Sequence, residues 1–465
     1  MSGILFILLA LPIWLIPLRV ASRYGMIKWF SPLHLLAFYA FMGTFLKSIG
    51  MLILPGEAFM YRFIYSDSSL YLGYIYTLGF TVCICLGYVL AIRERAPQDG
   101  PSLARLSMAR IGRPKLLLLL GGLAALVTVS TLVTGRFEDP SEATLSLDTL
   151  HTMNQTKIQR IEGVEGYGAS NAAIKVFGKL AWVALAVFFA LLFIRQRKTY
   201  LYGFVIIAAI VLISTLVKGK RLELLSIAMC LTSIYFILGG RIRWKFVLYG
   251  LCGAGAILAI FALLTVLRST KGDLSEAAFD PMVMVGQILL STYFFDFGMS
   301  AIIIDRFDTD LILRGQSYVN WIIGFVPRDI WPDKPAISLG PFVKQEVLGM
   351  AGTIGGINPT GPGEAFLNFG WGGIFVGLGL GIIFRRFEAF FLSGKGLLKR
   401  YGLVIYPVIG MPFITGCLQS TFGGVVVSTL TVLVLSMGVL HLTKRRSSPR
   451  SLRSSPHAKH LSPTA

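Results

Sequence analysis

The chain has 465 residues, of which 55% are hydrophobic and only 14% charged, with a mean hydropathy of +0.71. Soluble domains carry about 25% charged residues, so the composition excludes a soluble enzyme. The formal charge of +20 does not indicate nucleic-acid binding either, because the Lys and Arg lie in short loops between apolar blocks rather than on one folded face.

A bilayer core about 30 Å thick takes about 20 apolar residues as helix. By that measure the chain reads as an all-α polytopic integral membrane protein with about eleven transmembrane helices (about 10–12). They fall near 3–18, 30–54, 70–92, 116–134, 172–194, 199–217, 222–240, 246–267, 365–384, 401–421 and 423–442. The first block has no positive charge ahead of it and is followed by Arg19, Arg23 and Lys28. That order favours a retained helix over a cleaved signal, although Pro12 and Pro17 weaken it. Cys83, Cys85, Cys230, Cys252 and Cys417 all lie inside apolar blocks without CxxC spacing, as packing residues do.

Most of the 43 Lys and Arg fall in every second loop: 19–28, 93–115, 195–198, 241–245, 385–400 and the tail. The positive-inside rule puts those loops in the cytoplasm. The expected topology is N-terminus outside and C-terminus inside. It divides the chain into an N-terminal bundle at 1–267, one large extracytoplasmic loop at 268–364, C-terminal helices at 365–443 and a disordered basic cytoplasmic tail at 444–465. Within the loop, 281–304 is apolar but interrupted by Asp296. Counting it as one more crossing would move two basic stretches outside, so an interfacial or re-entrant helix is expected there.

In chain order, the residues that could carry chemistry begin with Lys47, a mid-span cation too deep to snorkel easily. Lys175 and Lys179 share a helix face near the outer end of their span, where they either snorkel or extend an anion site. Lys218, Lys220 and Arg221 crowd a tight outward turn, and Arg and Lys there suit phosphate; snorkelling is the plainer alternative. The run 325–335 holds Arg328, Asp329, Trp331, Asp333 and Lys334 between three prolines, which fix a stiff extended path. Trp331 offers a face for sugar stacking or for the interface. Asn358 to Glu364 leads into the next span, with Pro362 suited to a first turn and Glu364 either a favourable charge for the helix dipole or an anchor for an acceptor hydroxyl. The sequence has no Walker A, GxSxG or HExxH motif and no Cys/His cluster, so neither metal nor cofactor is expected.

The outward turn Arg221-x-x-x-Leu225 resembles the corresponding turn of O-antigen polymerases and ligases. Pro-Arg-Asp-Ile-Trp-Pro-Asp-Lys-Pro at 327–335, followed by Gly-Glu-Ala-Phe-Leu-Asn-Phe-Gly-Trp-Gly-Gly at 363–373, resembles Wzy-type oligosaccharide repeat-unit polymerases. The likeness covers roughly 214–385. It implies glycosyl transfer at the outer face of a bacterial inner membrane, with a growing glycan passing from undecaprenyl diphosphate to a new lipid-linked repeat unit. On that reading Arg221 with Lys218 or Lys220 holds diphosphate, and Lys175 and Lys179 extend that site. Arg328 and Lys334 assist or bind sugar, Trp331 and Asn358 contact the glycan, and Glu364 or Asp329 orients or deprotonates the acceptor. The implied partners are undecaprenyl-diphosphate-linked oligosaccharides, membrane lipids and a chain-length regulator. Ligases use a His in the large outer loop, and 268–364 contains none. The alternatives are an O-antigen ligase-like glycosyltransferase and a lipid-linked oligosaccharide flippase or transporter.

Overall fold

The computed structural model describes residues 2–27, 29–54, 58–64, 66–92, 114–134, 178–218, 221–239, 294–307, 312–326, 337–350, 356–393 and 397–442, with single positions at 244, 286, 289, 290, 330 and 331. Among them every regular element is a helix. Six helical runs are long and apolar enough to cross a membrane: Ile4–Tyr24, Pro32–Ile53, Asp67–Leu90, Thr360–Leu392, Tyr401–Gln419 and Phe422–Leu442. The chain is therefore a helical membrane protein. The block expected at 246–267 lies outside the described residues.

The main helices are α1 (Ser2–Tyr24), α2 (Pro32–Ile53), α3 (Asp67–Leu90), α4 (Pro114–Thr134), α5 (Leu180–Arg195), α6 (Lys198–Lys218), α7 (Arg221–Ile237), α8 (Phe297–Arg306), α9 (Thr360–Phe369), α10 (Val376–Ser393), α11 (Tyr401–Gln419) and α12 (Phe422–Leu442). The starts of α3, α5, α7, α9 and α12 gather at one end of the bundle, here the upper end. Tyr24 and the ends of α5 and α10 mark the lower end.

Helix α1 runs past the expected stop at 18, through Pro12 and Pro17, to Tyr24. Prolines are tolerated in such a helix because neighbouring helices support the interrupted turns, and α1 buries Phe6, Ala10 and Ile13 against α2 and α3. Helix α2 opens on extended Ser31 with Pro32 at its first position, where the missing N–H costs nothing. Its middle, Phe41–Leu46, is a π turn directly before Lys47. Helices α3 and α10 pack closely through small residues. A side chain at Gly377 or Gly381 would strike the Phe80 or Ile84 carbonyl, which is the small-xxx-small contact of membrane helices.

Two parts of the sequence reading change. First, the span expected at 365–384 is two helices. Gly370 sits at φ +56°, a left-handed conformation that suits glycine. It ends α9, and a 3₁₀ turn over Gly370–Phe375 redirects the chain into α10. The break lies inside the Phe-Gly-Trp-Gly-Gly run itself. Second, the described part of the long polar stretch does not stand outside the bundle as a loop. Leu290 lies against Gly50, the Phe295 backbone against Gly43, and Ala301 against Gly73. Ser69 Oγ then donates to Asp305. The chain thus descends along α2, turns at Phe295 and Asp296, and climbs back beside α3 as α8, whose residues Phe297–Ile303 are all buried. Both arms of this hairpin reach toward the upper end.

Candidate functional site

At the upper end, three segments meet on the carboxyl group of Glu364. Ser317 Oγ donates to Glu364 Oε1 at 2.7 Å, and the Phe422 N–H donates to Oε2 at 2.7 Å. Phe422 opens α12, so this carboxylate takes up one of the free amide donors at a helix start, where negative charge is favoured. Asn368 Nδ2 donates to Ser317 Oγ at 2.8 Å and to the Glu364 carbonyl at 2.7 Å. Glu364 is 1% exposed. Both of its oxygens are engaged within the protein, and it stands one turn inside α9 rather than at the helix mouth. The remaining oxygen of Asn368, Oδ1, is buried without a partner, as are Thr360 Oγ1 and Gln419 Oε1 on the elements that converge here.

Beside this node lies an open groove of about 780 Å³, bordered by Arg314, Gln316, Tyr318, Val319, Phe369 and Val376. Its rim is a tight turn. Gln316 N–H donates to the Leu313 carbonyl at 2.9 Å, with Arg314 at φ +49° and Gly315 at φ +87°. Two successive positive φ values define the type I′ turn, which Asn and Gly favour. The Leu313 N–H fixes the turn to the Leu367 carbonyl of α9 at 2.9 Å. Tyr318 stacks near-parallel on Phe369, with centroids 6.2 Å apart, and also packs on Phe422. Burial, then the charge of Glu364, pushes the Tyr318 hydroxyl well above its ordinary range, so it remains a neutral phenol. Among the described residues, the groove therefore offers the Arg314 guanidinium and the Gln316 amide above mostly apolar walls, a surface suited to an amphipathic anion.

Of the residues singled out by sequence, Glu364 and Asn358 lie on the segment that builds this end, Glu364 buried and Asn358 exposed. Trp331 is 40% exposed. Lys179 stands at the start of α5 and donates to Ser428 Oγ of α12 at 2.9 Å, which brings it to the same end. Lys218 closes α6 and Arg221 opens α7; their side chains, and Lys175, Lys220, Arg328, Asp329 and Lys334, lie outside the described residues. Arg314, Gln316 and Tyr318 are not singled out by the sequence, and Phe369 enters only within the 363–373 run. The signal available for them was the Arg-Gly pair in an otherwise apolar stretch, which reads as an ordinary turn until α9 is seen behind it.

A second polar cluster is buried deeper. Lys47 Nζ contacts Asp296 Oδ2 at 2.7 Å, and Asp296 Oδ1 accepts the Gly298 N–H at 2.8 Å, capping α8. Thr44 Oγ1 donates to the Phe295 carbonyl, and Ser48 shares a hydrogen bond with Tyr74. At the lower end, Tyr88 donates to Glu388 at 2.5 Å, while Arg385 donates to Tyr88 and to the Tyr24 carbonyl. Among the described residues, no group of three His, Cys, Asp or Glu is placed to hold a metal. Comparison with known protein families, characterised proteins and solved structures gave no match.

Proposed function

We propose that this protein is a polymerase of lipid-linked oligosaccharide repeat units, a glycosyltransferase of the inner membrane acting at its outer face. The reading takes the chain to have about eleven spans, with the upper end extracytoplasmic because the basic loops gather at the lower end. What supports it most in the geometry is the meeting of the 312–326 segment, α9 and the start of α12 at that one end. The groove opens there beside a rigid polar node.

In the proposed reaction a hydroxyl of the new lipid-linked unit attacks the anomeric carbon of the growing glycan. The bond from that carbon to the diphosphate oxygen breaks, undecaprenyl diphosphate leaves, and the hydroxyl proton passes to a base. Arg221 with Lys218 or Lys220 stabilises the charge that develops on the leaving diphosphate. Asp329 is the carboxylate assigned to the acceptor hydroxyl, with Arg328 and Lys334 nearby in sequence for phosphate or sugar. Glu364 is assigned to holding the outer segment on α12, because its oxygens are already engaged.

The test is a deletion strain complemented with wild type or Arg221→Ala, with surface glycan length read on a gel and membrane abundance checked. Glycans of a single repeat unit in the deletion, and with stable Arg221→Ala, support the reading. Loss of even the single-unit product in the deletion would point to export or an earlier transfer and sink it.

A further inference from the structure

A polymerase of this kind holds two lipid diphosphates at once, one on the growing glycan and one on the incoming unit, and the Lys218–Arg221 turn accounts for one. We propose that the groove between the Leu313–Gln316 turn and α9 is the second polyprenyl-diphosphate site, and that the lipid reaches it sideways from the outer leaflet. This rests on the polymerase reading above.

Three observations carry it. The first is depth. The segment after the turn lies along the first turns of α12, with Ser317 backbone against Gly423 and Gly324 against Val427. Helix α12 is an apolar span only 22% buried, so part of its surface faces lipid. Residues packed beside its outer turns lie at the level of the hydrocarbon boundary. Val319, Ile322 and Phe325, spaced three apart along this segment, are 57%, 57% and 49% exposed there. Exposed apolar side chains at that depth face acyl chains rather than water.

The second is the match of chemistry to position. Arg314 is exposed at the rim, while Val319, Phe369 and Val376 continue the groove as an apolar wall. A diphosphate head on a long isoprenoid tail presents that same sequence of charge and hydrocarbon. A guanidinium binds phosphate by paired hydrogen bonds, and the aromatic pair Tyr318 and Phe369 gives the tail flat surfaces.

The third is the backbone at Arg314. A long side chain at φ +49° is disfavoured relative to Asn or Gly, so the turn itself gives no reason for arginine. An arginine held in such a conformation beside a groove points to work done by its side chain.

That backbone also supplies a clean variant. Arg314→Asn suits the type I′ turn at least as well as arginine, so it removes the guanidinium without straining the fold. The experiment uses the full-length protein in nanodiscs of phosphatidylcholine, titrated with undecaprenyl diphosphate, with bound lipid counted by native mass spectrometry. Wild type is expected to bind two molecules. Arg314→Asn should lose one, its affinity falling about tenfold or more. Arg314→Lys should recover part of it, and Val319→Trp, which narrows the groove and leaves the charge, should also lose one. Excess phosphatidylglycerol should leave both molecules bound. Two molecules still bound by Arg314→Asn, or displacement of the Arg314-dependent one by phosphatidylglycerol, would overturn the proposal; the latter marks a general anionic-lipid site. If binding behaves as expected while the deletion strain shows an export defect, the groove stands as a polyprenyl-diphosphate site and the polymerase reading falls.

Discussion

Lys47 and Asp296, 249 residues apart in sequence, form a buried ion pair at 2.7 Å with each side chain only 1% exposed. The pair closes where the α8 hairpin turns, between the π turn of α2 and the N-terminus of α8. A cation in the middle of one apolar block and an acid interrupting another are each expensive inside a membrane, and each removes the reason for the other's cost.

Removing one partner leaves an uncompensated buried charge, which costs about 3–5 kcal/mol. Lys47→Ala and Asp296→Ala should each cut membrane abundance and lower the unfolding temperature in detergent. Asp296→Ala should be the worse, since it also uncaps α8. Replacing both by apolar residues of similar volume should recover much of the loss, as buried pairs commonly exchange with hydrophobes at little cost. A double variant whose loss equals the sum of the two single losses would mean that the two charges act independently and do not hold the hairpin as a pair.

Glu364 separates a structural role from a catalytic one by a single substitution. Glutamine keeps a carbonyl oxygen for the Phe422 N–H and an amide that hydrogen-bonds Ser317, but it is no base. Glu364→Gln should therefore retain abundance and most of the glycan length in the complemented strain. Glu364→Ala, which strips both bonds, should destabilise by about 1–3 kcal/mol. Single-unit glycans from an abundant Glu364→Gln protein would return the carboxylate to the chemistry.

How far the sequence carried depends on the range of the physics involved. Apolar blocks of spanning length are a local signal, so α2, α3, α11 and α12 lie where hydropathy places them. The charges Lys47 and Asp296 were each visible as anomalies, but their pairing is a tertiary fact with no local trace. The α9–α10 break was legible in principle at Gly370, yet a glycine within an apolar block also reads as helix packing, as Gly377 and Gly381 show. Glu364 stands out in the sequence for its position near a helix start. The helix it caps is α12, 58 residues on, which spacing within one segment does not reveal. Arg314 carries no such signal, because an Arg-Gly pair reads as an ordinary turn without the groove behind it.

The break at Gly370 should be intolerant of a side chain. Its φ of +56° with ψ −136° lies in a region essentially reserved for glycine and costs another residue about 1–3 kcal/mol. Gly370→Ala should lower thermal stability by about that amount, and Gly370→Val by more, since branching at Cβ worsens the clash. Wild-type stability in both would mean that α9 and α10 join as a continuous helix.

Orientation decides which end of the bundle the groove faces, and single cysteines read it directly. The native Cys83, Cys85, Cys230 and Cys417 are buried and unpaired, which gives a low labelling background. With Cys252 replaced by serine, Trp331→Cys, which follows the 312–326 segment in the chain, and Arg386→Cys at the lower end provide exposed reporters. In intact spheroplasts an impermeant maleimide should label the cysteine at 331 and spare the one at 386. Permeabilised cells should label both. A third reporter, Ser300→Cys on α8, should stay unlabelled from either side, because Ser300 is fully buried against Thr77 of α3. Labelling at 386 and not at 331 in spheroplasts would invert the topology, place the groove in the cytoplasm and remove the basis for chemistry at the outer face.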